Sequence, residues 1–168
     1  RDFGITLPRW MQVELSRVVQ AEAEAAGGEI DSFTIRRLFE HHFLSVPEGM
    51  RLRTYGLNRD HNGVQATVEA GDESGTLVLQ GHGQGAVEAL AAALAQRFDV
   101  RIEVEAYEEF AVEGGTGADA LACLRLAVDG TPYSAAALAA DTTTAVLQAV
   151  LTAVGRHGVT AAAVAEPA

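Results

Sequence analysis

At 168 residues, 48% of them hydrophobic, the chain is long enough to bury a sizeable core and reads as globular rather than disordered. A formal net charge of −11 argues against broad contact with phosphate backbones, which needs clustered cations, so no nucleic-acid partner is expected. Apolar runs such as Ala135 to Ala140 are far short of the roughly 20 residues of a membrane span, and no basic leader with a following apolar stretch opens the chain. A soluble, cytoplasmic protein with no membrane partner is therefore expected. Cys123 is the only cysteine, which rules out an internal disulfide and a thiolate metal cluster and fits a reducing compartment. The chain starts at Arg1, close to a helix, and reads as a trimmed piece of something longer.

From Pro8 to Ala26, Met11, Leu15, Val18 and Val19 recur at the spacing of one helical face. Pro8 suits the first turn and Gly27-Gly28 the C-terminal stop. A second helix is expected from Ser32 as N-cap, with Ile35, Leu38, Phe39 and Phe43 inward, until "SVPEGM" (Ser45 to Met50) breaks the pattern. These two helices define a short N-terminal helical subdomain, residues 1–47. From residue 48 the period becomes two: Met50, Leu52 and Thr54 alternate, then Val64, Ala66, Val68 and Ala70. Asn62-Gly63 stands where a tight hairpin wants positive φ.

A third strand, Thr76 to Gln80, precedes a helix that buries Val87, Leu90, Ala91 and Leu94. The order then restarts. Val100, Ile102, Val104 and Ala106 alternate, Ala120 to Val128 forms a strand, Asp129-Gly130 turns, and a short strand near Tyr133 leads to a helix. Asp141 is the expected N-cap of that helix, and Val146, Leu147, Val150, Leu151 and Val154 form its buried stripe. The fold class is α+β: a helical lead followed by two pseudo-symmetric β-β-β-α repeats spanning residues 48–168.

Between the third strand and its helix, Gly81, Gly83 and Gly85 stand at every second position. A dinucleotide fingerprint needs different glycine spacing inside a parallel βαβ unit, and no basic residue other than His82 lies here, so a phosphate loop is not expected. Two uses remain: a tight strand-to-helix turn, or close backbone approach to a ligand whose carboxylate meets free helix-start N–H groups. In the second case Gly83→Val is expected to abolish binding, by filling space and disfavouring positive φ, while the core survives.

"FEHHF" (Phe39 to Phe43) lacks the i, i+4 spacing of zinc helices, so no metal site is expected. Asp60 and His61 read as a solvated turn, Cys123 as core or interface filler, and Glu103 to Glu109 as a solvated strand face. Val100, Ile102, Val104 and Ala106 are read as an apolar face that the two repeats cannot cover alone, so a homodimer is expected.

The run "GLNRDHNGVQATVEAGDESGTLVLQGHGQGAVEAL" followed by "VEAYEEFAVEGGTGADALACLRLAVDGTPYSAAALAADTTTAVLQAVLTAVG" resembles the C-terminal regulatory domain of 2-isopropylmalate synthases, and "LPRWMQVELSRVVQ" resembles the linker subdomain before it. The resemblance covers Phe3 to about Gly155. It implies a module that performs no chemistry itself, needs no cofactor, dimerises, and binds L-leucine or a related amino acid as feedback inhibitor of a (β/α)8 catalytic domain. That domain joins acetyl-CoA to 2-oxoisovalerate. Carried over by position, the effector-binding candidates are Gly81, His82, Gly83, Gln84, Ala86, Tyr107, Ala120, Ala122 and Asp141, with no catalytic residue among them. In "SAAALAAD" (Ser134 to Asp141), Ala136 and Leu138 stand where the family's second turn has glycines, which is expected to reshape one half of the pocket. The alternative is a stand-alone relative turned to binding or converting another small molecule.

Overall fold

A computed structural model describes residues 7–73, 75–112 and 119–165, with side chains described as far as Gly158. Helix α1 (Arg9–Ala26) starts directly after Pro8 as N-cap and stops at Gly27, whose φ of 79° puts it in the left-handed conformation of a helix C-cap. Helix α2 (Ser32–Phe39) is capped one residue earlier than expected: Asp31 Oδ1 accepts from Thr34 N at 2.9 Å, and Ser32 is the first helical residue. A carboxylate at that position outcompetes the neighbouring hydroxyl for the free N–H groups. The helix runs on through a π-helical turn, Glu40–Leu44, that carries Phe43 into the interior.

Two antiparallel three-stranded sheets follow, β1-β2-β3 and β4-β5-β6. The first holds β1 (Leu52–Asp60), β2 (Gly63–Asp72) and β3 (Gly75–Gly83) and feeds helix α3 (Ala86–Phe98). The second holds β4 (Ile102–Ala111), β5 (Ala120–Val128) and β6 (Thr131–Ala139) and feeds helix α4 (Thr142–Ala165). The "GADAL" stretch has its first two residues outside the described part of the chain. The duplicated β-β-β-α order is as expected, and Asp141 caps α4 through a 2.8 Å bond from Thr144 N. In the second hairpin, Asp129 and Gly130 take φ of 50° and 85°, and Asp129 Oδ1 also accepts from Arg101 N. In the first, Gly63 has the positive φ but Asn62 does not: the loop is His61-Asn62, and Asp60 Oδ1 accepts from Asn62 N at 2.7 Å.

Both third strands are longer than their sequences advertise. Strand β3 runs on through Gly81 and Gly83, because glycine at those positions removes the side chain but not the ladder hydrogen bonds. Strand β6 extends to Ala139 for the same reason of pairing, against Ala120 of β5. Register then fixes the equivalences between repeats: Gly81 and Gly83 correspond to Ala137 and Ala139, not to Ala136 and Leu138. Ala136 instead faces the opposite side of the sheet, and Leu138 is exposed.

Helix α3 lies on the first sheet and α4 on the second, and each also touches the edge strand of the other repeat. Val64, Ala66, Val68 and Ala70 of β2 and Ala120, Ala122, Leu124, Leu126 and Val128 of β5 meet both helices in one core. Two bulges adjust this arrangement. The pairing of β1 slips between Leu52 and Thr54, and that of β4 between Val104 and Ala106. The extra residue reverses the alternation, so Tyr55 and Tyr107, not Thr54 and Ala106, stand opposite the core residues Val68 and Leu124.

The far face of the second sheet is covered by the helical lead. Leu7, Met11, Phe39 and Phe43 pack with Leu121, Cys123 and Ala136 in a second apolar cluster. Val100, Ile102 and Val104, expected to form an uncovered apolar face, pack instead against the helix-side core. Their alternation had the right period, but it could not say which side of the sheet the helices would occupy.

The link between α4 and the first sheet is Gln148. Its Oε1 accepts from Leu52 N at 2.8 Å and its Nε2 donates to Met50 O at 3.0 Å, while Tyr55 Oη and Thr144 Oγ1 bond nearby at 3.0 Å. Gln148→Ala strands two backbone groups, so chemical denaturation is expected to show a loss of about 1–3 kcal/mol. An unchanged midpoint would show that water replaces the amide without penalty.

Candidate functional site

The duplication supplies an internal control for locating a site. Tyr55, Thr144, Gln148 and Leu52 have as their equivalents Tyr107, Glu88, Ala92 and Val104. Where Gln148 fills the space between α4 and β1, the single methyl group of Ala92 leaves the space between α3 and β4 open. The result is a groove of about 490 Å³ lined by Glu88, Ala91, Ala92, Ala95, Ile102, Val104, Glu105, Ala106 and Tyr107. Alanines at Ala91, Ala92 and Ala95 form its helical wall, Ile102 and Val104 its strand wall, and two carboxylates with one phenol its rim.

Glu88 occupies the first turn of α3, where an acidic side chain complements the exposed N–H groups. Gly85, the N-cap, has no side chain to cap with, and a Cβ placed on it would lie 2.9 Å from Glu88 Oε1. The helix start expected to receive a ligand carboxylate therefore already has a carboxylate beside it. Partial burial, and then the charges of Glu88 and Glu109, push the Tyr107 phenol above its ordinary pKa. It remains a protonated donor at neutral pH.

The sequence-derived candidates distribute unevenly over this geometry. Tyr107 lines the groove, and the bulge at Glu105 is what aims it there. Gln84 and Ala86 flank the start of α3. Gly81 and Gly83 face the helix itself: a Cβ on Gly83 would sit 2.6 Å from Ala89 N and 2.7 Å from the carbonyl carbon of Glu88. Neither has positive φ, and Gly85 is extended at −145°. Their service is close packing of strand on helix, which corrects the reading that they need left-handed backbone. His82 points to the opposite, solvated face of the first sheet and takes no part in the groove. Ala120 and Ala122 are buried in the core face of β5, and Asp141 caps α4, so these three belong to the other repeat. No described cavity gathers both sets.

Glu88, Ala92 and Ala95 were not singled out by sequence, and Ala91, Ile102 and Val104 were read only as a buried helix position and an apolar strand face, not as walls of a groove. The available signal was the stripe Glu88-Ala91-Ala92-Ala95 at i, i+3, i+4 and i+7, an alanine-lined face that passes for ordinary helix surface. Among the described residues no group of His, Cys, Asp or Glu side chains has the arrangement of a metal site. His42 instead binds Glu14 at 3.0 Å, and Cys123 is buried, with desolvation first and Glu108 second pushing its thiol up to about 12. No described helix is long and apolar enough to cross a membrane.

One half of this duplicated β-β-β-α unit is thus plugged by Gln148, and the other carries an apolar groove rimmed by carboxylates. Residues 29–157 match the family described as LeuA allosteric (dimerisation) domain, and the chain belongs to that family. It is 47% identical over 157 residues to a 2-isopropylmalate synthase of Alcanivorax borkumensis, covering 93% of this chain and 28% of that protein. A 2-isopropylmalate synthase of Pseudomonas entomophila is 34% identical over 158 residues, with 93% and 28% covered. One of Rhodospirillum rubrum is 34% identical over 157 residues, with 90% and 28% covered. The chain thus spans 28% of the length of these curated relatives.

Proposed function

We propose that this chain is the regulatory and dimerising module of a 2-isopropylmalate synthase-like enzyme and binds a branched-chain amino acid, leucine foremost, in the groove between α3 and β4. Residues 1–47 serve as its linker, and a (β/α)8 catalytic domain and a second copy of the chain are its partners. The observation that carries the reading is Ala92 standing where the other repeat has Gln148. An alanine-walled groove suits a branched aliphatic side chain, and Glu88 with the Tyr107 hydroxyl suits the ammonium and carboxylate of a free amino acid. Gln84 and Ala86 border the same helix start and belong to the proposed contact set. Gly81 and Gly83 support it by seating the helix. His82, Ala120, Ala122 and Asp141 have no place in this groove.

Leucine, isoleucine or valine at a hundred times its dissociation constant is expected to stabilise the chain by about 2.7 kcal/mol in thermal melts, since a ligand stabilises only the state it binds. Ala92→Gln, which supplies the plug of the other repeat, should remove that gain and leave the unliganded midpoint in place. If all three amino acids leave the unsubstituted midpoint unmoved, the groove does not take this class of ligand. Sedimentation tests the pairing of copies: a clean monomer at tens of micromolar, where ordinary weak interfaces already assemble, counts against it.

A further inference from the structure

A second cavity lies on the other side of the molecule, where the helical lead meets the second sheet. It has a volume of about 480 Å³ and is lined by residues of five elements, including Glu14, Arg17, His42, Arg125, Ser134 and Arg156. All twelve cationic side chains of the sequence are arginines, in a chain of net charge −11, and three of them line this one cleft.

The charges inside it do not cancel. Glu14 is committed: Oε2 binds His42 at 3.0 Å, and Oε1 accepts from Ser134 Oγ at 2.7 Å and lies 3.5 Å from Arg125 Nη1. Arg125 in turn donates to Glu105 at 3.1 Å. The hydrogen bond from His42 is the main cause holding the Glu14 carboxyl below its ordinary pKa, so it is ionised and already matched. Arg156 differs. Its guanidinium donates only to backbone carbonyls, those of Ser134 and Ser45, and burial lowers its pKa against the opposing pull of the Glu14 charge. Arg17, one turn along α1 from Glu14, has no hydrogen-bond or ion-pair partner among the described residues. Two guanidinium groups thus share a cleft whose one lining carboxylate, Glu14, is hydrogen-bonded to neither of them.

A partly buried guanidinium facing neutral acceptors is stabilised by an anion far more than an exposed one, and its planar fork matches a carboxylate or phosphoryl group in bidentate fashion. We propose that this cleft is a binding site for a small organic dianion, a phosphoryl or dicarboxylate compound, held by Arg17 and Arg156 between the helical lead and the second sheet. Its contacts come from α1, the π-helical turn, β5, β6 and α4, so an anion bound there ties the lead to the duplicated module. The cleft shares no lining residue with the groove between α3 and β4, and its one link to that groove among the described contacts is the bond from Arg125 to Glu105.

Titration calorimetry on the 168-residue chain at constant ionic strength, with inorganic pyrophosphate and separately with succinate, tests the assignment. Saturable binding of one probe per chain is expected, weakened about tenfold or more by Arg17→Gln, because one bidentate charge contact is worth at least that factor. Arg17→Gln removes no described contact and should leave the unliganded melt unchanged, so loss of binding cannot be ascribed to unfolding. Arg97→Gln, at the far end of α3, is the control for general charge and should bind like the parent. A preference for pyrophosphate assigns the phosphoryl class, and a preference for succinate the dicarboxylate class. The proposal is overturned if neither probe saturates below ~10 mM, the weak limit of a specific site. It is also overturned if Arg17→Gln binds like the parent, or if Arg97→Gln weakens binding equally.

Discussion

Gly83→Val is expected to unseat helix α3 and to destabilise the fold by on the order of 3 kcal/mol, the upper range for overpacking a filled interior. The side chain has nowhere to go. Its Cβ alone would stand 2.6 Å from Ala89 N, 2.7 Å from the Glu88 carbonyl carbon and 2.9 Å from the Glu88 Cβ, and two of these three atoms are backbone. A flexible neighbour can swing aside, whereas a helix backbone can yield only by moving the whole helix off the sheet. That shift would expose Val87, Leu90 and Leu94, which are buried at 3%, 0% and 0% exposure. The expectation from sequence, lost binding on an intact fold, is thereby reversed: binding is lost because the helix that forms one wall of the groove moves. Urea denaturation decides the point. Gly56→Val is the control, since a Cβ there meets nothing within 4 Å and valine favours the strand. Equal midpoints for the two variants would refute the close-packing account.

Phe43→Ala has the second large effect, an expected loss of about 3–5 kcal/mol from the deletion of a buried aromatic side chain. Phe43 is 0% exposed and sits at the centre of the cluster that joins the helical lead to Leu121 and Cys123 of β5. It also meets the Phe39 ring in a tilted contact, 5.5 Å between centroids, so its removal loosens the π-helical turn as well as the sheet contact. The Cys123 thiol reports the outcome independently. Buried within this cluster, it has its pKa pushed up to about 12 and is expected to resist a disulfide reagent at neutral pH. In the Phe43→Ala variant it should react readily, as the lead undocks and water reaches β5. A variant that loses stability while Cys123 stays shielded would place the damage elsewhere than at this interface.

The duplication, the order of elements and the caps at Gly27 and Asp141 could be read from sequence, because each rests on local rules. Val64, Ala66, Val68 and Ala70 declare a strand by their own alternation, and Val146, Leu147, Val150, Leu151 and Val154 declare a helix by theirs. The quoted motifs carried the family resemblance, and with it Tyr107, without any coordinates. What sequence could not give was anything that depends on partners distant along the chain. The bulges at Arg53 and Glu105 arise in pairing β1 to β2 and β4 to β5, and they decide that Tyr55 and Tyr107 face the core side. Strict alternation, applied along one strand, puts Thr54 and Ala106 there instead. The use of Gly81 and Gly83 depended on a helix lying against them, and the openness of the groove on Ala92 facing a strand whose counterpart faces Gln148. Glu14 lies more than a hundred residues from both Arg125 and Arg156 along the chain and meets them only because α1 docks on the outer face of the second sheet. Local periodicity fixed the pieces, and burial of apolar faces between distant segments decided which side chains came together.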